Sequence, residues 1–160
     1  MEEVNREKIN GLLKSLPNNI SAIERMIMAN EGTVQTFLSV LCGYPIEVEV
    51  ISQKQFGGNI IRWSKLILKE ETGAPTICLA ESIIPISNQA RFTSFIGERE
   101  LGIGQIIKLL NLNTSRRIKG FHSDSKTIAR TYVIEGDCDI MITESFNRDI
   151  LFHYCLDSLK

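Results

Sequence analysis

Cys138-Asp139-Ile140-Met141-Ile142-Thr143-Glu144-Ser145-Phe146 is the stretch that decides the fold. Its Ile, Met and Thr content and the preceding turn residues Glu135-Gly136-Asp137 predict a β-strand. Side chains alternate along a strand, so Cys138, Ile140, Ile142 and Glu144 share one face. A carboxylate in line with three apolar residues is costly unless it has a partner. Two readings stand: Glu144 ends the strand in solvent, or it belongs to an interior site. An earlier candidate strand, Asn59 to Lys69, bears on the choice. There Arg62 shares a face with Ile60, Ser64, Leu66 and Leu68. Opposite charges on two otherwise apolar strand faces point to one interior site.

Outward from these strands, the rest of the chain reads as follows. Residues 3 to 16 have helical spacing of Val4, Ile9, Leu12 and Leu13, broken by Pro17-Asn18-Asn19. A second short helix covers Ile20 to Met28, with Ser21 and Glu24 at the capping-box spacing. Thr33 can cap a third, Val34 to Cys42, with Phe37, Leu38 and Leu41 inward and Gly43 and Pro45 as its stop. Period-two alternation then takes over. Ile46, Val48 and Val50 alternate with Glu47 and Glu49, Phe56-Gly57-Gly58-Asn59 turns the chain, and the Arg62 strand follows. After a turn at Glu71-Thr72-Gly73-Ala74, Thr76 to Ile84 is a strand with Cys78, Ala80 and Ser82 on one face. Such a small-residue face either leaves room for a ligand or packs closely against a helix. Residues 86 to 100 form a loop-rich crossover with weak helical signals. Gly102-Ile103-Gly104 introduces an apolar helix, Gln105 to Leu110.

Arg116 to His122 and Ile128 to Ile134 are further strands before the Glu144 strand. Arg130 lies in line with Ile128, Tyr132 and Ile134; a three-residue turn pairing Ile134 with Cys138 would set Arg130 diagonal to Glu144. Residues 149 to 160 form an amphipathic tail. Three helices, three strands, a crossover, three strands and a tail make a single α+β domain, residues 1–160, around one antiparallel sheet of about six strands.

Composition restricts function. The 160 residues suit one domain with a real core, and 43% apolar with 23% charged residues is ordinary for a soluble protein. A net charge of −1 offers no basic field for nucleic acid. No apolar run approaches the ~20 residues of a membrane span. The acidic N-terminus lacks an apolar signal core, so a cytoplasmic location is expected. Cys42, Cys78, Cys138 and Cys155 are far apart with no CxxC, so reduced, buried thiols are expected rather than a disulfide framework or a metal site. Gly102-Ile103-Gly104 lacks the third glycine of a dinucleotide fingerprint, and no phosphate loop occurs. His122 and His153 have no companion nucleophile.

Several motifs occur in a fixed order: Gly32-Thr33-Val34-Gln35-Thr36-Phe37 opening a helix, an arginine in the second strand, Ser82-Ile83-Ile84-Pro85, Gly102-Ile103-Gly104 and Ile142-Thr143-Glu144-Ser145-Phe146. Together, across about residues 30 to 147, they resemble the chorismate pyruvate-lyase family, in particular its divergent, mostly prokaryotic branch. The resemblance implies a six-stranded antiparallel sheet with helices on one face, enclosing an internal ligand pocket. It implies elimination of pyruvate from chorismate to leave 4-hydroxybenzoate, with no metal or organic cofactor. By the same resemblance Glu144 stands at the ring-hydroxyl end and Arg62 takes the ring carboxylate. Backbone amides at Val34 and Ile103 help hold the ligand. Ser82 and Arg130, on the same faces, complete the expected binding set.

Two departures mark the chain off. More residues separate Arg62 from the Gly73 turn than in the family's best-known members, so a shorter alignment puts Lys65 in the arginine's place. Lys65 shares its face with Trp63, Ile67 and Lys69, the wetter side, which favours Arg62. Glu81 stands where those members carry a second pocket arginine, a charge reversal that opposes a dianionic substrate.

A guanidinium fits the expected task because it grips a carboxylate through two parallel hydrogen bonds. Elimination from chorismate yields an aromatic ring, so positioning and charge stabilisation suffice. Two other readings are open. Arg130 and Glu144 can form an ion pair that merely completes the core. The fold also serves as a non-catalytic effector-binding domain in bacterial regulators, although the ~30 residues before Thr33 are too few for a winged helix.

Overall fold

Local chemistry sets the first three helices of the computed structural model, which describes residues 2–69, 71–88, 90–97 and 101–156. Helix α1 (Glu2–Ser15) stops just ahead of Pro17. Helix α2 (Ala22–Ala29) begins with a complete capping box: Glu24 N donates to Ser21 Oγ at 3.2 Å, and Ser21 N donates to Glu24 Oε2 at 2.6 Å. Helix α3 (Val34–Cys42) ends at Gly43, whose φ of +71° suits the left-handed C-cap. Thr33 occupies the N-cap position of α3, yet its side chain makes no capping hydrogen bond.

Six antiparallel strands follow. They are β1 (Ile46–Phe56), β2 (Asn59–Leu68), β3 (Thr76–Pro85), β4 (Thr114–Ser123), β5 (Thr127–Gly136) and β6 (Ile140–Asn147). Their spatial order is β1-β2-β3-β6-β5-β4. Gly57 and Gly58, both at positive φ, form the two-residue turn between β1 and β2. Between β3 and β4 run α4 (Ala90–Ile96) and α5 (Ile103–Leu109). The chain continues from β6 into α6 (Arg148–Leu151) and a wide helical turn, Phe152–Leu156. The expected α+β class, with one six-stranded antiparallel sheet, is what the chain forms.

Helices cover one face of the sheet. On it lie Leu66, Ile84, Ile128, Tyr132, Ile134, Ile140, Ile142 and Phe146, all buried, while Trp63, Leu79 and Met141 on the opposite face are 44%, 48% and 40% exposed. The covered face holds two apolar clusters. Ile27, Met28, Leu38, Leu68 and Phe146 belong to one, and Phe92, Ile96, Ile106, Ile134 and Ile140 to the other. Between them runs a polar seam of buried Arg62, Ser64, Ser82, Glu144 and Arg130. Strand register aligns it: Ser64 lies opposite Ala80, Ala80 opposite Glu144, and Glu144 opposite Arg130. A seam of polar groups through an apolar core needs partners for every member, and the site grows from those partners.

Several expectations are corrected. Ile134 pairs with Ile140 rather than Cys138, so β6 starts two residues late and Arg130 is directly opposite Glu144 instead of diagonal. Gly136, at φ +128°, and Asp137, whose amide donates to the Asn113 carbonyl at 3.0 Å, lengthen the turn. A two-residue slip preserves the faces, which is why the face assignment survived. Helix α5 begins at Ile103 and so takes Gly104 into its first turn. Within α3, Val34, Leu38 and Cys42 are buried, whereas Phe37 and Leu41 are half-buried. Of the expected tail, residues 157–160 lie outside the described residues.

Cysteine chemistry also differs from expectation. Cys42 and Cys155 form a disulfide that joins α3 to the C-terminal turn, while Cys78 and Cys138 are free and buried. Among the described residues, no helix is long and apolar enough to cross a membrane.

Candidate binding pocket in the polar seam

Where α3 and α5 begin, their first turns face the polar seam, and a recess of about 70 Å³ lies between them and the sheet. Val34 comes from α3, Ile103 from α5, Ser64 and Ser82 from β2 and β3, Tyr132 and Glu144 from β5 and β6. Four positions singled out from the sequence, Val34, Ser82, Ile103 and Glu144, are therefore brought together. The small face of β3 has both of the fates considered for it: Ala80 and Ser82 line the recess, and Cys78 packs into the first apolar cluster.

Glu144 is in mid-strand and only 3% exposed, which excludes a solvated strand end. Both of its oxygens accept hydrogen bonds. Arg130 Nε donates to Oε2 at 2.7 Å, and Tyr132 Oη donates to Oε1 at 2.8 Å. Arg130 does further work behind the recess: its Nη1 donates to the carbonyls of Ile27 at 2.9 Å, Met28 at 3.2 Å and Asn30 at 2.5 Å. These are carbonyls at the C-terminal end of α2, where intrahelical donors run out. Helix α2 has no basic residue in its own last turn, so the charge that complements its dipole comes from β5. Arg130 does not line the recess. It tethers a helix and holds a carboxylate.

Two neighbours feel this arrangement. Burial, and then the Glu144 charge, push the Tyr132 phenol well above its usual pKa, so Tyr132 remains a donor. Burial and Glu144 likewise raise the Cys78 thiol, which keeps it inert.

Arg62 is 1% exposed on the covered face of β2, but the recess lining does not include it. Its Nη2 donates to the carbonyl of Leu101, two residues ahead of α5. Lys65 points to the opposite face and pairs with Glu49 at 3.1 Å, so the alternation argument against it holds. Glu81 also lies on that outer face, across from Trp63 and Thr143. Its charge reversal consequently falls outside the recess.

Tyr132 and Arg116 line the recess without an assignment from the sequence. Tyr132 was visible as an in-line neighbour of Arg130, and it proves to be the second donor to Glu144. Arg116 enters from β4, where it and Ile118 alternate with the exposed Arg117 and Lys119. That alternation was the available signal. Among the described residues, no three His, Cys, Asp or Glu side chains gather as metal ligands.

No protein-family model matches the chain, and no curated protein matches it either. The lyase reading accordingly stands on the ordered motifs and the geometry of the recess.

Proposed function

We propose that the recess takes an aromatic carboxylate and that the protein is a cofactor-independent lyase eliminating pyruvate from chorismate to give 4-hydroxybenzoate. The observation that carries this reading is convergence. Val34, Ser82, Ile103 and Glu144, drawn from motifs spread over more than 100 residues, border a single recess. In the reaction a ring proton leaves, the ether C–O bond breaks, and the departing enolpyruvate takes up a proton to become pyruvate. Aromatisation supplies the driving force, so orientation and charge stabilisation are what the protein adds. The first-turn amides of α3, which lack a side-chain cap, are suited to an anionic group. A cytoplasmic location fits the free thiols of Cys78 and Cys138; the Cys42–Cys155 bond is the feature a reducing compartment must tolerate.

Purified, chelator-treated protein incubated with chorismate should release pyruvate and 4-hydroxybenzoate in equal amounts. No pyruvate above background at high protein concentration removes the lyase reading.

Two observations favour a second reading, a non-catalytic binder of aromatic or carboxylic acids. Each oxygen of Glu144 already accepts a hydrogen bond, from Arg130 and from Tyr132. The recess, at about 70 Å³, is also smaller than the ~150 Å³ cavity that holds benzene, so occupancy requires side chains to move. Retention of an aromatic acid without turnover identifies the binder.

A further inference from the structure

Arg116 is the charged group of the recess that the lyase resemblance leaves unassigned. From β4 its Nη1 donates to the Gly32 carbonyl, just before α3. Its guanidinium carbon stands 5.4 Å from the centre of the Tyr132 ring. A Cβ built on Gly104, in the first turn of α5, would lie 3.9 Å from its Nη2. The guanidinium thus spans the gap between the two helix starts, above the phenol that holds Glu144.

Charge accounting gives this placement its meaning. Glu144 is matched by Arg130 directly behind it at 2.7 Å. Arg116 has no carboxylate partner among the described residues, and Glu144 is the other charged residue that lines the recess. With Arg130 counted against Glu144, the guanidinium of Arg116 is left as a positive charge at the recess without a carboxylate partner among the described residues. Field strength in such a site favours a single anion over a neutral ligand.

Arg116 is also part of a second wall. It borders a hollow of about 490 Å³ between α1 and β4, together with Lys8, Arg117 and Lys119. Lys8 pairs with Glu31 at 2.7 Å and Arg117 with Glu135 at 2.5 Å. Standing between hollow and recess, the Arg116 side chain separates the two spaces. A swing of this half-buried side chain would join them.

We propose that Arg116 is the carboxylate anchor of the pocket: a monoanionic aromatic acid enters from the hollow and replaces the Gly32 carbonyl as the partner of the guanidinium. A carboxylate forms a charge-assisted, two-point bond there, stronger than the neutral carbonyl bond it displaces. The inference rests on the acid-pocket reading, but it assigns the carboxylate to Arg116 instead of Arg62.

The test compares binding of 4-hydroxybenzoate and its uncharged analogue 4-hydroxybenzamide to wild type, Arg116→Met and Arg116→Gln. Wild type should prefer the acid by roughly 10- to 100-fold, the range of a hydrogen bond to a charged group. Both variants should lose that preference while keeping their affinity for the amide, which also reports an intact pocket. Arg116→Gln retains a donor for the Gly32 carbonyl, so it covers a failure of Arg116→Met to fold. Preference for the acid that persists in a folded variant overturns the Arg116 assignment and leaves the acid-pocket reading standing. Wild type that binds neither ligand overturns both.

Discussion

Arg130 and Glu144 face each other across β5 and β6 with Nε and Oε2 2.7 Å apart, their side chains 1% and 4% exposed. The pair ties three things together: a carboxylate in the recess wall, a phenol beside it and the C-terminal carbonyls of α2. A buried pair gains little over an apolar replacement, yet breaking one half of it is severe. Glu144→Gln keeps the shape but offers one acceptor oxygen for two donors. We expect a loss of about 3–5 kcal/mol, the usual cost of an orphaned buried charge. For a domain of this length the melting temperature then falls by on the order of 10 °C. Thermal melts without ligand measure it, and an unchanged melting point means the pair does not support the fold.

Arg62 and Lys65 share a strand and should differ sharply when removed. Arg62→Ala deletes a guanidinium that is 1% exposed and donates to the Leu101 carbonyl, so about 2–4 kcal/mol of stability should go with it. Lys65→Ala removes an exposed-face pair with Glu49 and should cost less than about 1 kcal/mol. Urea denaturation of the two variants provides the comparison. Equal midpoints would contradict the face assignment.

Face assignments were legible in the sequence because alternation is a local property. Glu47 and Glu49 between Ile46, Val48 and Val50 disclosed β1, and the in-line sets around Arg62, Arg130 and Glu144 placed all three on the covered side. Ser21 and Glu24 disclosed the start of α2 for the same reason. What escaped depends on contacts far apart in the chain. The β5–β6 turn is lengthened by a bond from Asp137 to Asn113. Arg116 becomes a pocket residue only because Gly32, 84 positions earlier, is folded against it. Cys42 and Cys155 are 113 residues apart, with no local spacing to join them. Pocket size was equally out of reach, since it depends on how two helix starts settle over the sheet.

Alkaline pH should weaken the fold through its buried acids. Burial, and then the charges of Asp139 and Asp137, push the Cys138 thiol from 9.0 up to about 11. Tyr132 and Cys78 are also raised, mainly by burial. A raised pKa means the folded chain keeps protons that the unfolded chain releases. The contribution of Cys138 is therefore complete below pH 9 and is lost as pH climbs from 9 to about 11. Melting temperature should decline across that window, most steeply in its upper half, where Tyr132 joins. Cys138→Ala deletes one titrating group that does not line the recess, so its decline should be shallower than that of wild type. Melts at pH 8, 9, 10 and 11 would show this, and parallel curves for the two proteins would exclude Cys138 as a source of the alkaline loss.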